Sequence, residues 1–215
     1  MIQELVCESG KRLLAEGLVS GTWGNISHRI DDDLMAITPS GIDYDELKPE
    51  DIVAVNINDL SYTGDIPPSS EVNMHAAIYK AKKEVNAIIH NHSLYACIVS
   101  VRSGEVPPYT EDMAQVLGPS IKVVKHALTG SPELASGVVK ALEGRYGAIL
   151  QNHGAVLLGR DMKEAFAACH ILEKSCRISI YVELLGKGKA LPLPYAESCR
   201  EYYLNNYQKK GMSAL

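Results

Sequence analysis

The chain has 215 residues, 46% hydrophobic and 22% charged, the balance of a soluble globular protein long enough to bury a substantial core. A net charge of −5 without any dense Lys/Arg run argues against nucleic acid or a membrane surface as partner, and the pairs Lys82-Lys83 and Lys209-Lys210 read as solvated surface. Five widely spaced cysteines (Cys7, Cys97, Cys169, Cys176, Cys199) form no C-x-x-C pair, which fits reduced cytosolic thiols rather than a disulfide framework or a cysteine-rich zinc module.

Residues 1–14 lack a basic segment followed by an apolar core, and no stretch is long enough to span a membrane, so a soluble cytoplasmic protein is expected. Ile2, Leu5, Val6, Leu13 and Leu14 fall at helical spacing, with Gly17 as the stop. Ser20 to Asn25 is rich in small residues and, taken alone, reads as an ordinary turn. Ile26 to Ile30 and Leu34 to Ile37 predict a hairpin across Asp31-Asp32-Asp33, and Ile52 to Ile57 a strand. Thr38-Pro39-Ser40-Gly41 is a sharp turn bearing hydroxyls. After Pro67-Pro68, Ser69 or Ser70 is a natural N-cap for a helix whose face is Val72, His75, Ala76 and Tyr79. Such a start can bind an anion, and Ser-Ser-Glu is equally simple capping chemistry.

Ala87 to His92 predicts a strand, Ser93 to Val101 a helix and Pro107 to Met113 a polar loop. Ile121 to Val124 is a strand, and Ser131-Pro132-Glu133 opens a helix running to Leu142. Tyr146 to Leu158 predicts a buried hairpin with Asn152-His153-Gly154 at its tip. Asp161 to Leu185 is one long helix, on which His170 reads as a packed or partly exposed residue rather than a ligand. Pro192 and Pro194 precede a last helix from Tyr195 to about Tyr207. No repeat or linker divides the chain, so one domain of interleaved strands and helices is expected.

One feature carries chemistry. On a strand, residues i and i+2 share a face, so His90 and His92 aim their imidazoles at one point. His153 likewise follows an apolar run, and these are three of only seven histidines. Three imidazoles leave an open coordination position, the arrangement of a catalytic metal site. Nitrogen ligands favour Zn²⁺ first, with Mn²⁺, Fe²⁺ or Co²⁺ as alternatives.

The chain resembles the class II aldolase/adducin family, and within it the aldolases of L-fuculose 1-phosphate. The resemblance rests on Gly21-Thr22-Trp23-Gly24-Asn25-Ile26-Ser27, Ile37-Thr38-Pro39-Ser40-Gly41, Pro68-Ser69-Ser70-Glu71, His90-Asn91-His92 and Gln151-Asn152-His153-Gly154. These occur in the family's order at similar spacing, across essentially the whole chain. The resemblance implies one α/β domain over residues 1–215, a mainly antiparallel nine-stranded sheet flanked by helices. It also implies a homotetramer with sites near subunit interfaces. By the same resemblance Glu71, His90, His92 and His153 bind Zn²⁺, and Glu71 leaves the metal to act as acid and base. Asn25, Ser40, Gly41, Ser69 and Ser70 would hold the substrate phosphate. The implied reaction cleaves a ketose 1-phosphate, such as L-fuculose 1-phosphate, to dihydroxyacetone phosphate and an aldehyde through a metal-stabilised enediolate.

One departure matters. Where these aldolases carry a proton-donating tyrosine, this chain reads Pro108-Tyr109-Thr110-Glu111-Asp112-Met113, which puts Glu111 or Asp112 nearest that position with Tyr109 close by. Tyr207 matches a second family tyrosine, near the aldehyde end. Relatives sharing fold and metal widen the choice to ribulose-5-phosphate 4-epimerase, methylthioribulose-1-phosphate dehydratase or a sugar-acid phosphate decarboxylase. An adducin-like scaffold is the non-enzymatic alternative.

Overall fold

The short apolar runs become the strands of one sheet in the computed structural model, which describes residues 1–186 and 188–207. They are β1 (Asn25–Arg29), β2 (Leu34–Ile37), β3 (Val53–Asn56), β4 (Ala87–Asn91), β5 (Glu105–Val106), β6 (Ile121–Val124), β7 (Gly147–Leu150) and β8 (Gly154–Gly159). The helices are α1 (Ile2–Ala15), α2 (Val72–Ala81), α3 (Leu94–Ser100), α4 (Glu111–Val116), α5 (Pro132–Ala141), α6 (Met162–Leu185) and α7 (Leu193–Tyr202). A π-helical turn, Tyr203–Tyr207, follows α7.

The sheet runs β3-β2-β1-β4-β8-β7-β6-β5, and β6–β7 is its parallel pair. Among the described residues it has eight strands, not the nine expected. Pro39 and Pro68 meet only as an isolated bridge, since proline lacks the N–H that a continued ladder needs.

Both faces of the sheet are covered, which is why β4 and β8 read as unbroken apolar runs rather than as alternation. Period two still sorts their side chains. Ile89 and Leu157 join Leu13, Phe166, Cys169 and Leu172 on the face covered by α1 and α6. Ile88, Val156 and Leu158 join Met74, Ile78, Leu134 and Val138 on the face covered by α2 and α5. His90 shares the parity of Ile88, so it faces α2, the helix that begins just after Glu71.

Two segments differ from what the sequence predicts. The segment expected as a polar loop contains α4, with Glu111 and Asp112 in its first turn. Six residues make fewer than two turns and show no period, although acids at a helix start oppose the dipole favourably. Lys82 is half-buried, its ammonium 5.6 Å from the centre of the Tyr146 ring, rather than solvated. Lys209-Lys210 lies outside the described residues. All five cysteines are free, and four of them are buried. No described helix is long and apolar enough to cross a membrane.

Candidate active site

The hydrogen bonds of β4 fix the first histidine. His90 is fully buried, and its Nδ1 lies 2.9 Å from the carbonyl oxygen of Ala155 on neighbouring β8. A carbonyl only accepts, so Nδ1 carries the proton and Nε2 points the other way. There it meets Nε2 of His92 at 2.9 Å and Oε2 of Glu71 at 3.0 Å.

The third imidazole comes from the β7–β8 hairpin. Asn152 takes a left-handed conformation, φ +57°, which turns the chain and projects His153 back toward the β4 end. Gly154 lets the two segments touch: a Cβ there would lie 2.4 Å from the Asn91 carbonyl oxygen and 2.9 Å from the His92 ring. As a result, one nitrogen from each of His90, His92 and His153 lies within 4.8 Å of the others, in a group able to hold a metal ion.

Glu71 closes the group. It is buried, with Oε1 3.9 Å from His153 Nε2 and without a hydrogen-bond partner. Burial pushes its carboxyl pKa up, but His90, His153 and the Asn25 amide outweigh that and hold it near 2. Burial, with the neighbouring imidazoles, lowers His92 to about 4 and also lowers His153, favouring the neutral form that ligates metals. The donor set fits a divalent cation. A proton can satisfy one pair of these converging atoms at a time, whereas a cation satisfies all of them.

The five residues that the resemblance assigns to the phosphate lie together beside this group. Asn25, Ser40, Gly41, Ser69 and Ser70 line one cavity of about 260 Å³ together with Glu71, His92 and His153. The turns at 20–25 and 38–41 and the α2 start therefore converge from three places in the chain. Ser69 Oγ accepts from the Glu71 N–H at 3.3 Å, so the serine that fits a capping reading also orients the carboxylate's backbone.

Thr22, Trp23 and Thr129 also line the cavity. The first two lie inside a matched segment, whereas Thr129 sits in a turn without any motif. Trp23 is 66% exposed, and its ring centre is 5.9 Å from that of His92. It also borders a second hollow of about 440 Å³, shared with Ser20, Asn152, His92 and His153.

The remaining candidates are elsewhere in the chain. Glu111 accepts a 2.7 Å hydrogen bond from the Tyr195 hydroxyl on α7, and Asp112 is paired with Lys174 on α6. Burial raises the Asp112 carboxyl, but Lys174, Thr110 and the Met113 N–H bring it below its ordinary value, the reverse of what a proton donor needs. Tyr207 is exposed and stacks on Tyr203 at 5.2 Å. In the same turn the Leu204 carbonyl, next to Tyr203, accepts from Arg160, which follows β8 at the end opposite His153. His170 is half-exposed on α6 and paired with Glu16, as a helix-surface residue should be.

Residues 4–180 match the family model described as class II aldolase and adducin N-terminal domain, a range holding every strand and every candidate above except Tyr207. The chain belongs to the class II aldolase/adducin family. It is 32% identical over 191 residues to a 5-deoxy-D-ribulose 1-phosphate aldolase of Bacillus thuringiensis serovar kurstaki, covering 88% of this chain and 89% of that protein. It is 34% identical over 157 residues to the L-fuculose phosphate aldolase of Escherichia coli K12, covering 73% and 72%. A solved L-fuculose 1-phosphate aldolase superposes with a TM-score of 0.89 at 34% identity, covering 94% of this chain and 96% of that one. The chain is thus an enzyme of the class II aldolase type, a lyase, rather than an adducin-like scaffold.

Proposed function

We propose that this enzyme cleaves a deoxyketose 1-phosphate, of the L-fuculose or 5-deoxyribulose type, to dihydroxyacetone phosphate and an aldehyde. The observation that carries the reading is one cavity lined both by the hydroxyl- and glycine-bearing turns and by Glu71, His92 and His153, with His90 buried behind them. The names of the relatives supply the two substrate types. The exposed face of Trp23 beside His92 suits the apolar deoxy end better than a hydroxylated one.

In this reading His90, His92, His153 and Glu71 hold a divalent cation, with zinc as first choice. A cation bound there supplies Lewis-acid polarisation of the carbonyl beside the breaking bond. Asn25, Ser40, Gly41, Ser69 and Ser70 bind the phosphate and fix the reacting carbons relative to Glu71. Retro-aldol cleavage takes a proton from the hydroxyl on the departing carbon and leaves the bond's electron pair on the carbon next to the carbonyl. Glu71 delivers a proton to that carbon and removes it in the reverse direction. Glu111 is the better candidate for the hydroxyl proton, because Asp112 is committed to Lys174. For Glu111 or Tyr207 to reach the cavity, it comes from a neighbouring copy, which suits assembly as a homotetramer. Exposed Leu94 and Val101 on and beside α3, next to the site, offer apolar surface for that contact.

The test incubates the zinc-loaded enzyme with a panel of ketose 1-phosphates and couples triose phosphate release to its enzymatic reduction. Dihydroxyacetone phosphate from the deoxyketose substrates supports the reading. Its absence with every ketose 1-phosphate sinks it and returns the epimerase, dehydratase and decarboxylase chemistries to consideration.

A further inference from the structure

Behind Glu71 and Asn25 lies a buried chain of side chains, Ser27, His75 and Tyr79, with no part in the reaction as described. β1 presents Asn25, Ser27 and Arg29 on one face at period two, and α2 with its cap presents Glu71, His75 and Tyr79 at intervals of four. The two series interlock. Asn25 Nδ2 donates to Glu71 Oε2 at 2.9 Å, and Asn25 Oδ1 lies 2.6 Å from His75 Nε2. His75 Nδ1 lies 2.6 Å from Ser27 Oγ, which lies 2.9 Å from the Tyr79 hydroxyl.

We propose that His75 is a positioning residue: its Nε2–H fixes the Asn25 amide, and through that amide it aims the Glu71 carboxylate at the histidine group. The proposal rests on the reading of Glu71 as ligand and base. Donor and acceptor roles follow from one fixed end. A carboxylate only accepts, so Asn25 turns its NH₂ to Glu71 and its carbonyl to His75. That carbonyl needs a donor, so His75 carries its proton on Nε2, and its bare Nδ1 accepts from the Ser27 hydroxyl. Ser27 in turn accepts from the Tyr79 hydroxyl at 2.9 Å, the nearer of two acceptors for that proton, the other being the Asn86 carbonyl at 3.3 Å. From Ser27 onward each hydrogen therefore points toward Glu71, and each bond favours the next where Ser27, His75 and Tyr79 are closed off from water. His75 and Ser27 are fully buried, so neither can exchange its partner for solvent. The flipped amide would set the Asn25 carbonyl against the carboxylate and release Glu71 Oε2. With His75 in place, Asn25 keeps a second N–H free to meet an anionic substrate oxygen in the cavity it lines.

Two measurements test this without relying on turnover. Long-range ¹H–¹⁵N correlation on zinc-loaded, histidine-labelled protein reports the tautomer of His75. A proton on Nε2 is expected, and a proton on Nδ1 with Nε2 bare overturns the proposal. Competition with a chromophoric chelator then gives Zn²⁺ affinity for the wild type, His75→Leu and His75→Gln. Leucine removes the donor, and glutamine restores an N–H near the Nε2 position. The expected result is about tenfold weaker binding or more in His75→Leu, with recovery to within a few-fold in His75→Gln. Unchanged affinity in His75→Leu, or equal losses in both variants, would overturn it. Absence of aldolase activity in the wild type would fail the functional reading while leaving both measurements interpretable.

Discussion

His90 and His92 face each other nitrogen to nitrogen, Nε2 to Nε2, at 2.9 Å. His90 commits its Nδ1–H to the Ala155 carbonyl, so it brings a lone pair into that gap. Glu71 adds a carboxylate oxygen at 3.0 Å and His153 a third imidazole. Converging electron pairs of this kind call for a cation.

Glu71→Gln keeps an oxygen to accept from Asn25 but cannot take up a proton. The variant is expected to fold as the wild type by circular dichroism. Deuterium exchange from solvent into dihydroxyacetone phosphate should fall by about 10²-fold or more. Exchange at the wild-type rate would remove Glu71 as the base.

Ser40→Asp places a carboxylate at the rim of the proposed phosphate cradle. Repulsion between like charges should raise KM for a ketose 1-phosphate about tenfold or more, with a smaller effect on kcat. Steady-state kinetics read the split directly, and an unchanged KM would place the phosphate elsewhere.

Gly154→Ala puts a methyl group 2.4 Å from the Asn91 carbonyl oxygen and against the His92 ring. Either the hairpin or β4 must shift, at a cost of about 1–3 kcal/mol. Denaturant unfolding should show that loss, and Zn²⁺ affinity should fall with it because His92 and His153 flank the contact. Wild-type stability and affinity together would show that the close approach is not required.

Burial lowers His75 to about 3 from its ordinary value near 6.5. Below pH 6.5 the unfolded chain takes up a proton that the folded state refuses. This part of the stability is therefore complete above pH 6.5 and is lost as pH falls toward 3. Between pH 7 and pH 5 the zinc-loaded wild type should lose about 2 kcal/mol more than His75→Gln, which has no such proton site. Equal losses in urea denaturation at the two pH values would show that His75 is not held neutral.

The parts of the site readable in the sequence are those set by short-range geometry. The i, i+2 spacing of His90 and His92, the hairpin tip at His153 and the helix start after Ser69-Ser70 each declare themselves within a few residues. The role of His75 does not, because it exists only where the period-two face of β1 meets the four-residue interval of α2. In the sequence it is one more residue on a helix face. Helix α4 was hidden by its brevity, and Glu111, Asp112 and Tyr207 show the limit of matching positions. Within one chain they sit against α6, α7 and Tyr203, not in the cavity.

The central claim, that the His90/His92/His153 group is a metal centre on which the cleavage depends, is tested most directly by titrating metal-stripped enzyme with Zn²⁺ while following dihydroxyacetone phosphate release. Activity should rise from near zero and saturate at one equivalent per chain, and His92→Ala should stay inactive across the titration. Full activity in the presence of a strong chelator, without bound metal, would contradict it.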